Sequence, residues 1–161
     1  MIRPVNPASD TDAITAIYNH YIEKTTVSFE TETLSTAQMH KRICNISSEY
    51  PYLVCETGGQ IVGYAYVHRW KERAAYNLTV ETTIYLASGH KHEGIGTALM
   101  RELTARCKAA GYKVLIACIT GENTKSLDFH RSLGFVQASH FHNVGYKFGR
   151  MLDVIDMEMQ L

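Results

Sequence analysis

At 161 residues, with 45% apolar and 20% charged side chains, the chain is long enough to bury a sizeable core and is expected to form one globular domain over residues 1–161. Sixteen basic residues balance sixteen acidic ones, so nothing in the net charge points to nucleic acid or to an anionic membrane surface, and neither is an expected partner. The longest strongly apolar run, Val114 to Ile119, is far too short to span a bilayer, and no apolar signal-peptide core opens the chain, so a cytoplasmic protein is expected.

Ile2 to Val5 reads as a short first strand. Ser9 or Asp10 is expected to cap a helix whose residues Ile14, Ile17, Tyr18, Tyr21 and Ile22 recur at helical spacing. Ser35 and Gln38 form a capping-box pattern that opens a second helix through Met39, Ile43 and Ile46. Strands over Tyr52 to Glu56 and Ile61 to His68 flank Gly58 and Gly59, a two-residue hairpin signal. After a polar loop from Arg69 to Ala75, a long strand is expected from Tyr76 to Leu86, with Glu81, Thr83 and Tyr85 on one face. A third helix running to Ala110, a buried strand over Val114 to Ile119, and a fourth helix from about Asn123 to Leu133 follow. Two strands, near Phe135 to Phe141 and Leu152 to Met159, complete a mixed α/β sheet domain; the helical crossover makes the Val114 strand parallel to the one before it.

The junction from Ile84 to Thr97 carries the most information. A β-branched and aromatic run ends in a polar loop, and Gly94 and Gly96 open the third helix. The first amides of a helix lack intrahelical acceptors and lie at the positive end of its dipole. Glycines let a ligand approach that backbone, so the junction is an anion site suited to a pyrophosphate. No Gly-Lys-Ser/Thr follows, which excludes a P-loop, and Leu99 stands where a dinucleotide fingerprint needs a small residue.

Four dispersed cysteines read as reduced side chains, mostly in the core. The histidine pairs His90/His92 and His140/His142 read as surface positions, and no metal is expected.

At this point the chain resembles the Gcn5-related N-acetyltransferase superfamily over nearly its whole length. The acetyl-CoA loop of that family, Gln/Arg-x-x-Gly-x-Gly/Ala, reads here as Lys91-His92-Glu93-Gly94-Ile95-Gly96. Lysine at the first position suits a phosphate as a point charge, whereas Glu93 places an anion beside it. The fourth-helix pattern appears as Asn123-x-x-Ser126-x-x-Phe129-His130-x-x-x-Gly134-Phe135, with His130 where many members carry a tyrosine. Asn19 to Ile22, Thr26 to Phe29, Arg73-x-x-Tyr76, Thr79 to Thr83 and Gly145 to Gly149 narrow the resemblance to the phosphinothricin and methionine sulfone/sulfoximine N-acetyltransferases.

The resemblance implies an acetyltransferase fold: a mixed, mostly antiparallel sheet with a parallel splayed strand pair and about four helices. It implies acetyl-CoA as cosubstrate, held by Ile84, Tyr85 and Leu86, by residues 91–97 (Lys91, His92, Glu93, Gly94, Ile95, Gly96, Thr97), and by Asn123 and Ser126. Glu81 is the implied base and His130 its catalytic partner, with Tyr85 a weaker acid candidate. Phe29, Arg73, Tyr76 and Thr83 are the implied acceptor contacts, and Arg73 is suited to gripping a carboxylate or phosphinate by paired N–H bonds. The expected activity is acetyl transfer to the α-amine of a small amino-acid-like molecule, within a ternary complex and in a homodimer. Peptide or protein N-acetylation and a non-catalytic acyl-CoA-binding module are the alternatives.

Overall fold

A computed structural model describes residues 1–90 and 93–161. Strand β1 (Ile2–Pro4) leads into α1 (Pro7–Lys24), where the cap differs from expectation. Asn6 takes the role, its side chain accepting from the Ala8 amide at 3.1 Å, with Pro7 in the first turn, where no N–H is needed. Asp10 is drawn inward instead, only 2% exposed, and accepts from Arg3 Nη1 and Nη2 at 2.7 and 2.9 Å and from the Asn6 amide at 2.8 Å. Asn6, Ser9 and Asp10 are all competent cap residues, and the charge of Arg3 draws Asp10 out of that role.

Helix α2 (Thr36–Ser47) opens with the expected capping box between Ser35 and Gln38. Strands β2 (Tyr52–Thr57) and β3 (Gln60–Arg69) join through Gly58 and Gly59, whose φ values of +57° and +78° are those a tight hairpin turn requires. β4 covers Thr79–Leu86, shorter than expected, because Ala74–Tyr76 closes a 3-10 turn. Helix α3 (Ile95–Ala109), β5 (Val114–Thr120) and α4 (Thr124–Ser132) follow. The last segment holds three strands where two were expected: β6 (Val136–Gln137), β7 (Phe141–Lys147) and β8 (Arg150–Gln160). β7 escapes pattern reading because its apolar residues are exposed and its two buried positions are Gly145 and Lys147, so no apolar alternation marks it.

The strands form a single sheet ordered β1-β2-β3-β4-β5-β8-β6, with β7 also on β8. Every pairing is antiparallel except β4–β5, so the expected sheet is borne out. One face carries an aromatic cluster under α1 and α2, including Tyr18, Tyr21, Tyr52 and Tyr64. The other packs an aliphatic core of Leu99, Leu103, Leu115 and Met157 beneath α3 and α4. Among the described residues no helix is long and apolar enough to cross a membrane.

The parallel pair is the feature that positions a site. β4 and β5 pair from Thr79↔Val114 only as far as Thr82↔Ala117, although β4 continues to Leu86 beside β3. Beyond Thr82 the strands splay, and a cleft opens between Ile84 and Tyr85 on one wall and Cys118 and Ile119 on the other.

Candidate active site

At the outer end of the splay, Gly94 is the N-cap of α3, with φ +76° in the left-handed region. It offers no side chain to the first turn, so the amides of Ile95, Gly96 and Thr97 have no side-chain cap among the described residues. Ile95 turns its side chain into the core and contributes its backbone only. A Cβ added at Gly96 would lie 3.4 Å from the Phe129 ring and 3.6 Å from Leu86 Cδ1, so any larger side chain would crowd the space above the helix. His90 Nδ1 lies 3.2 Å from Glu93 Oε2, drawing that carboxylate to one side. Lys91 and His92 lie outside the described residues.

These groups line a cavity of about 560 Å³ bounded by Ile84, Tyr85, Leu86, Gly94, Gly96, Thr97, Asn123 and Ser126, which brings together most of the residues expected to hold acetyl-CoA. Lys125 adds a cation that the sequence reading missed, although its place in the first turn of α4 was legible. Amides at a helix start, a lysine and glycine clearance are the donors a pyrophosphate needs, so the residues present fit coenzyme A.

A second cavity, of about 460 Å³, shares the wall formed by Val27, Ile84, Tyr85, Asn123 and Ser126 and runs inward. Glu81, Thr83, Phe29 and His130 all line it. Glu81 stands opposite His68 of β3, with Oε1 and Nε2 3.8 Å apart. Burial raises its carboxyl above the ordinary value; His68 opposes this and the like charge of Asp156 adds to it. Cys118 shows an open edge to the same cavity, yet loss of hydration, with Glu81 and Asp156 nearby, pushes its thiol up to about 12.

His130 is 3% exposed and lies edge-on to Phe129 and Phe135, with ring centroids 5.2 and 5.1 Å away. Its Nδ1 donates to the Ser126 carbonyl oxygen at 2.8 Å. A carbonyl only accepts, so Nδ1 carries the proton and Nε2 keeps its lone pair. Burial lowers the imidazole pKa, which favours this neutral form. Tyr85, packed against Tyr18 and Tyr21 at 5.1 and 4.9 Å, is pushed well above the ordinary phenol value by burial.

The loop after α1 closes the inner cavity, and most of its anchors come from the second half of the chain. Lys147 Nζ donates to the Ser28 carbonyl at 2.6 Å, Thr120 Oγ1 donates to the Thr26 carbonyl at 2.6 Å, and Tyr18 shares a hydrogen bond with Ser28 Oγ at 3.0 Å. Arg150 holds Glu122 through two bonds of 2.7 Å, and Glu122 accepts in turn from the Thr26 hydroxyl. The Phe29 ring lies over Gly145, where an added Cβ would be 2.7 Å from Cζ. The segments holding Ser28 and Lys147 were visible as motifs, but 119 residues separate the two, so their pairing left no local signal.

Arg73 and Tyr76 line neither cavity within one chain. The 3-10 turn holds Arg73 exposed, and Tyr76 packs edge-on to Trp70 at 5.2 Å. The expected strand start at Tyr76 would have placed that ring on the sheet; the turn removes it.

The sequence matches the acetyltransferase (GNAT) domain family over residues 2–157. It is 39% identical, over 94% of this chain and 78% of the relative, to a phosphinothricin N-acetyltransferase of Alcaligenes faecalis. It is 34% identical, over 95% and 90%, to an L-methionine sulfoximine/L-methionine sulfone acetyltransferase of Salmonella typhimurium. Among solved structures, a phosphinothricin acetyltransferase from Sinorhizobium meliloti in complex with acetyl-CoA superposes with a TM-score of 0.95 at 36% identity, covering 100% of this chain and 88% of the other. A ribosomal-protein-alanine N-acetyltransferase from Brucella melitensis superposes with a TM-score of 0.97 at 34% identity, covering 100% and 99%.

Proposed function

This chain belongs to the GNAT acetyltransferase family and is an acetyl-CoA-dependent N-acetyltransferase, and we propose that its acceptor is the α-amine of a small amino-acid-like molecule such as phosphinothricin, methionine sulfoximine or methionine sulfone. The observation that carries the acceptor class is the inner cavity. Its volume of about 460 Å³ suits a small molecule, and the carboxylate of Glu81 on its wall suits an ammonium group, whereas Glu30 on the same wall is paired with Arg42 at 2.8 Å. The names of the relatives support the same class, and acetylation of such compounds would detoxify them.

Bound acetyl-CoA supplies the activated acetyl group as a thioester, whose sulfur departs with a proton. Glu81 takes the first proton from the acceptor ammonium, directly or through water, leaving the nitrogen lone pair free. A carboxyl raised above its ordinary value is closer in proton affinity to the amine and better matched as a base. As the N–C bond forms and the C–S bond breaks, His130 accepts the second nitrogen proton at Nε2 and passes it to the departing sulfur; as the neutral Nδ1–H tautomer it acts first as an acceptor. Phe29 and Thr83 bound the acceptor, while residues 93–97, Lys125, Asn123 and Ser126 hold the cosubstrate. Direct transfer is favoured because Cys118, the thiol in the cavity, is held protonated and so is a poor nucleophile.

We also propose a homodimer. Phe141, Val144, Tyr146, Phe148 and Met151 are each half or more exposed, or nearly so, on the β7–β8 ribbon, which is unusual for a chain with no partner there. Light scattering of the wild type and of Tyr146→Asp tests it, with dissociation expected in the variant.

The alternative acceptor, a peptide N-terminus, is favoured by the name of the Brucella neighbour. Release of free thiol from acetyl-CoA, measured against amino acids, sulfones, phosphinates and alanine-terminated peptides, separates the two. Turnover with phosphinothricin or methionine sulfone but not with peptides is expected; turnover confined to peptides would overturn the assignment.

A further inference from the structure

Away from the cleft, three ligand-bearing side chains converge on the β7–β8 ribbon. We infer that His140, His142 and Asp153 form a binding site for a divalent transition metal of the zinc class. The register of β7 on β8 slips between Phe141 and Gly145, and Asn143 sits in the left-handed region with φ +53°. This bulge turns the chain around one carboxylate. The Asn143 amide donates to Asp153 Oδ1 at 2.9 Å, while His140 Nε2 and His142 Nδ1 lie 2.8 and 3.1 Å from Oδ2. The three ligand atoms all lie within 4.8 Å of one another, and the two imidazole centroids are 4.1 Å apart.

These separations suit a shared ion. Ligands bound at about 2.1 Å in a tetrahedral shell stand about 3.4 Å apart, so the 2.8 and 3.1 Å spacings need open by only a few tenths of an ångström. Two imidazoles and one carboxylate select zinc, nickel or copper over calcium and magnesium, which prefer oxygen shells. Binding requires lone pairs on His140 Nε2 and His142 Nδ1. Their protons move to Nδ1 and Nε2 respectively, or leave to solvent where a ring is charged.

The surroundings are set for it. The groove beside Asp153 has a volume of about 320 Å³, leaving room for water to complete the coordination shell. Arg150 lines the same groove, but Glu122 neutralises it through two bonds of 2.7 Å. The main chain of Asp153 is fixed by the Gly121 amide, which donates to its carbonyl at 2.8 Å; a Cβ on Gly121 would lie 2.9 Å from Asp153 Cβ. An ion here would tie the bulge of β7 to the strand beside it. Sequence spacing showed only a histidine pair, because the carboxylate is eleven residues beyond His142.

Titration of the full-length, isotope-labelled chain with Zn²⁺, followed by NMR and calorimetry, tests the site. Saturation at one equivalent is expected, with shifts confined to residues near 121, 140–143 and 153. Ni²⁺ should broaden the same resonances. His142→Ala, at an exposed position, should lose the bound equivalent while keeping the wild-type metal-free spectrum and acetyl-transfer rate. Asp153→Asn should weaken binding at least about tenfold, but because it also unties the bulge, His142→Ala is the deciding variant. Absence of binding, binding that survives His142→Ala, or shifts centred on His40 or His90 would overturn the assignment.

Discussion

Replacing Glu81 with glutamine keeps the shape of the side chain and removes only its charge and basicity. A lost general base costs ~10²-fold or more in kcat, which is about 2.7 kcal/mol of transition-state free energy. Acetyl-CoA affinity should stay near the wild-type value, because Glu81 lines the inner cavity and not the one at the α3 terminus. The structure requires two further effects. Burial raises the Glu81 carboxyl, so the folded state binds a proton more tightly than the unfolded chain does. Stability therefore falls as pH rises from the ordinary carboxyl value through the folded one, and it stays lower above that window. At neutral pH the uncharged glutamine escapes this penalty, so the variant should melt above the wild type. Cys118 is pushed up to about 12 partly by the charge of Glu81, so the variant thiol should alkylate faster, as read by intact mass. The acid limb of kcat/KM assigned to Glu81, placed above the ordinary carboxyl value in the wild type, should vanish from whatever activity remains. Wild-type turnover in Glu81→Gln, measured by thiol release at saturating acceptor, would refute the base assignment. A variant that is slow but no more stable would refute the electrostatic reading of the cavity.

Gly96→Val should raise the acetyl-CoA Kd about tenfold, since its extra methyl groups meet the Phe129 ring already 3.4 Å from a Cβ position; calorimetry checks this. Gly145→Ala should drive the Phe29 ring off its position, raising acceptor KM several-fold with cofactor affinity unchanged, as steady-state kinetics would show. Asp10→Ala should cost about 2 kcal/mol, less than a fully enclosed pair because Arg3 is part-exposed, and lower Tm by roughly 4–8 °C in calorimetry. Burial alone would raise the Asp10 carboxyl, but Arg3, the Asn6 amide and Ser9 together hold it below 3.8. Its contribution is therefore present above that value and lost as pH falls through the lowered one, so the melting gap between wild type and variant should close in acid.

Features encoded over a few residues were legible in the sequence. The Ser35–Gln38 capping box, the Gly58–Gly59 turn and the strand–glycine–helix junction at 84–97 each depend on local backbone geometry, and each appears where its pattern lies. Glu81 and His130 were found by motif register, and the splay of β4 from β5 brings both to one cavity. What escaped depends on side-chain partners that backbone patterns do not reveal. Asp10 satisfies every local rule for a cap, yet Arg3 claims it. The acceptor loop at 26–30 owes its position to Thr120, Glu122 and Lys147, none of them visible to a window of fifteen residues or so. All of β7 beyond Phe141 was missed because it buries only Gly145 and Lys147, neither an apolar side chain, and Tyr76 was placed on a strand because a short 3-10 turn leaves little trace in the pattern.

The tether from Lys147 to the Ser28 carbonyl has a consequence for how the molecule is made. On a ribosome, the glycine junction and α3 emerge well before the final ribbon, whereas the loop bearing Phe29 waits for a lysine synthesised near the end. Because β8 also pairs with β5 from Val114 to Thr120, the splayed wall and the acceptor loop are both completed by the closing hairpin.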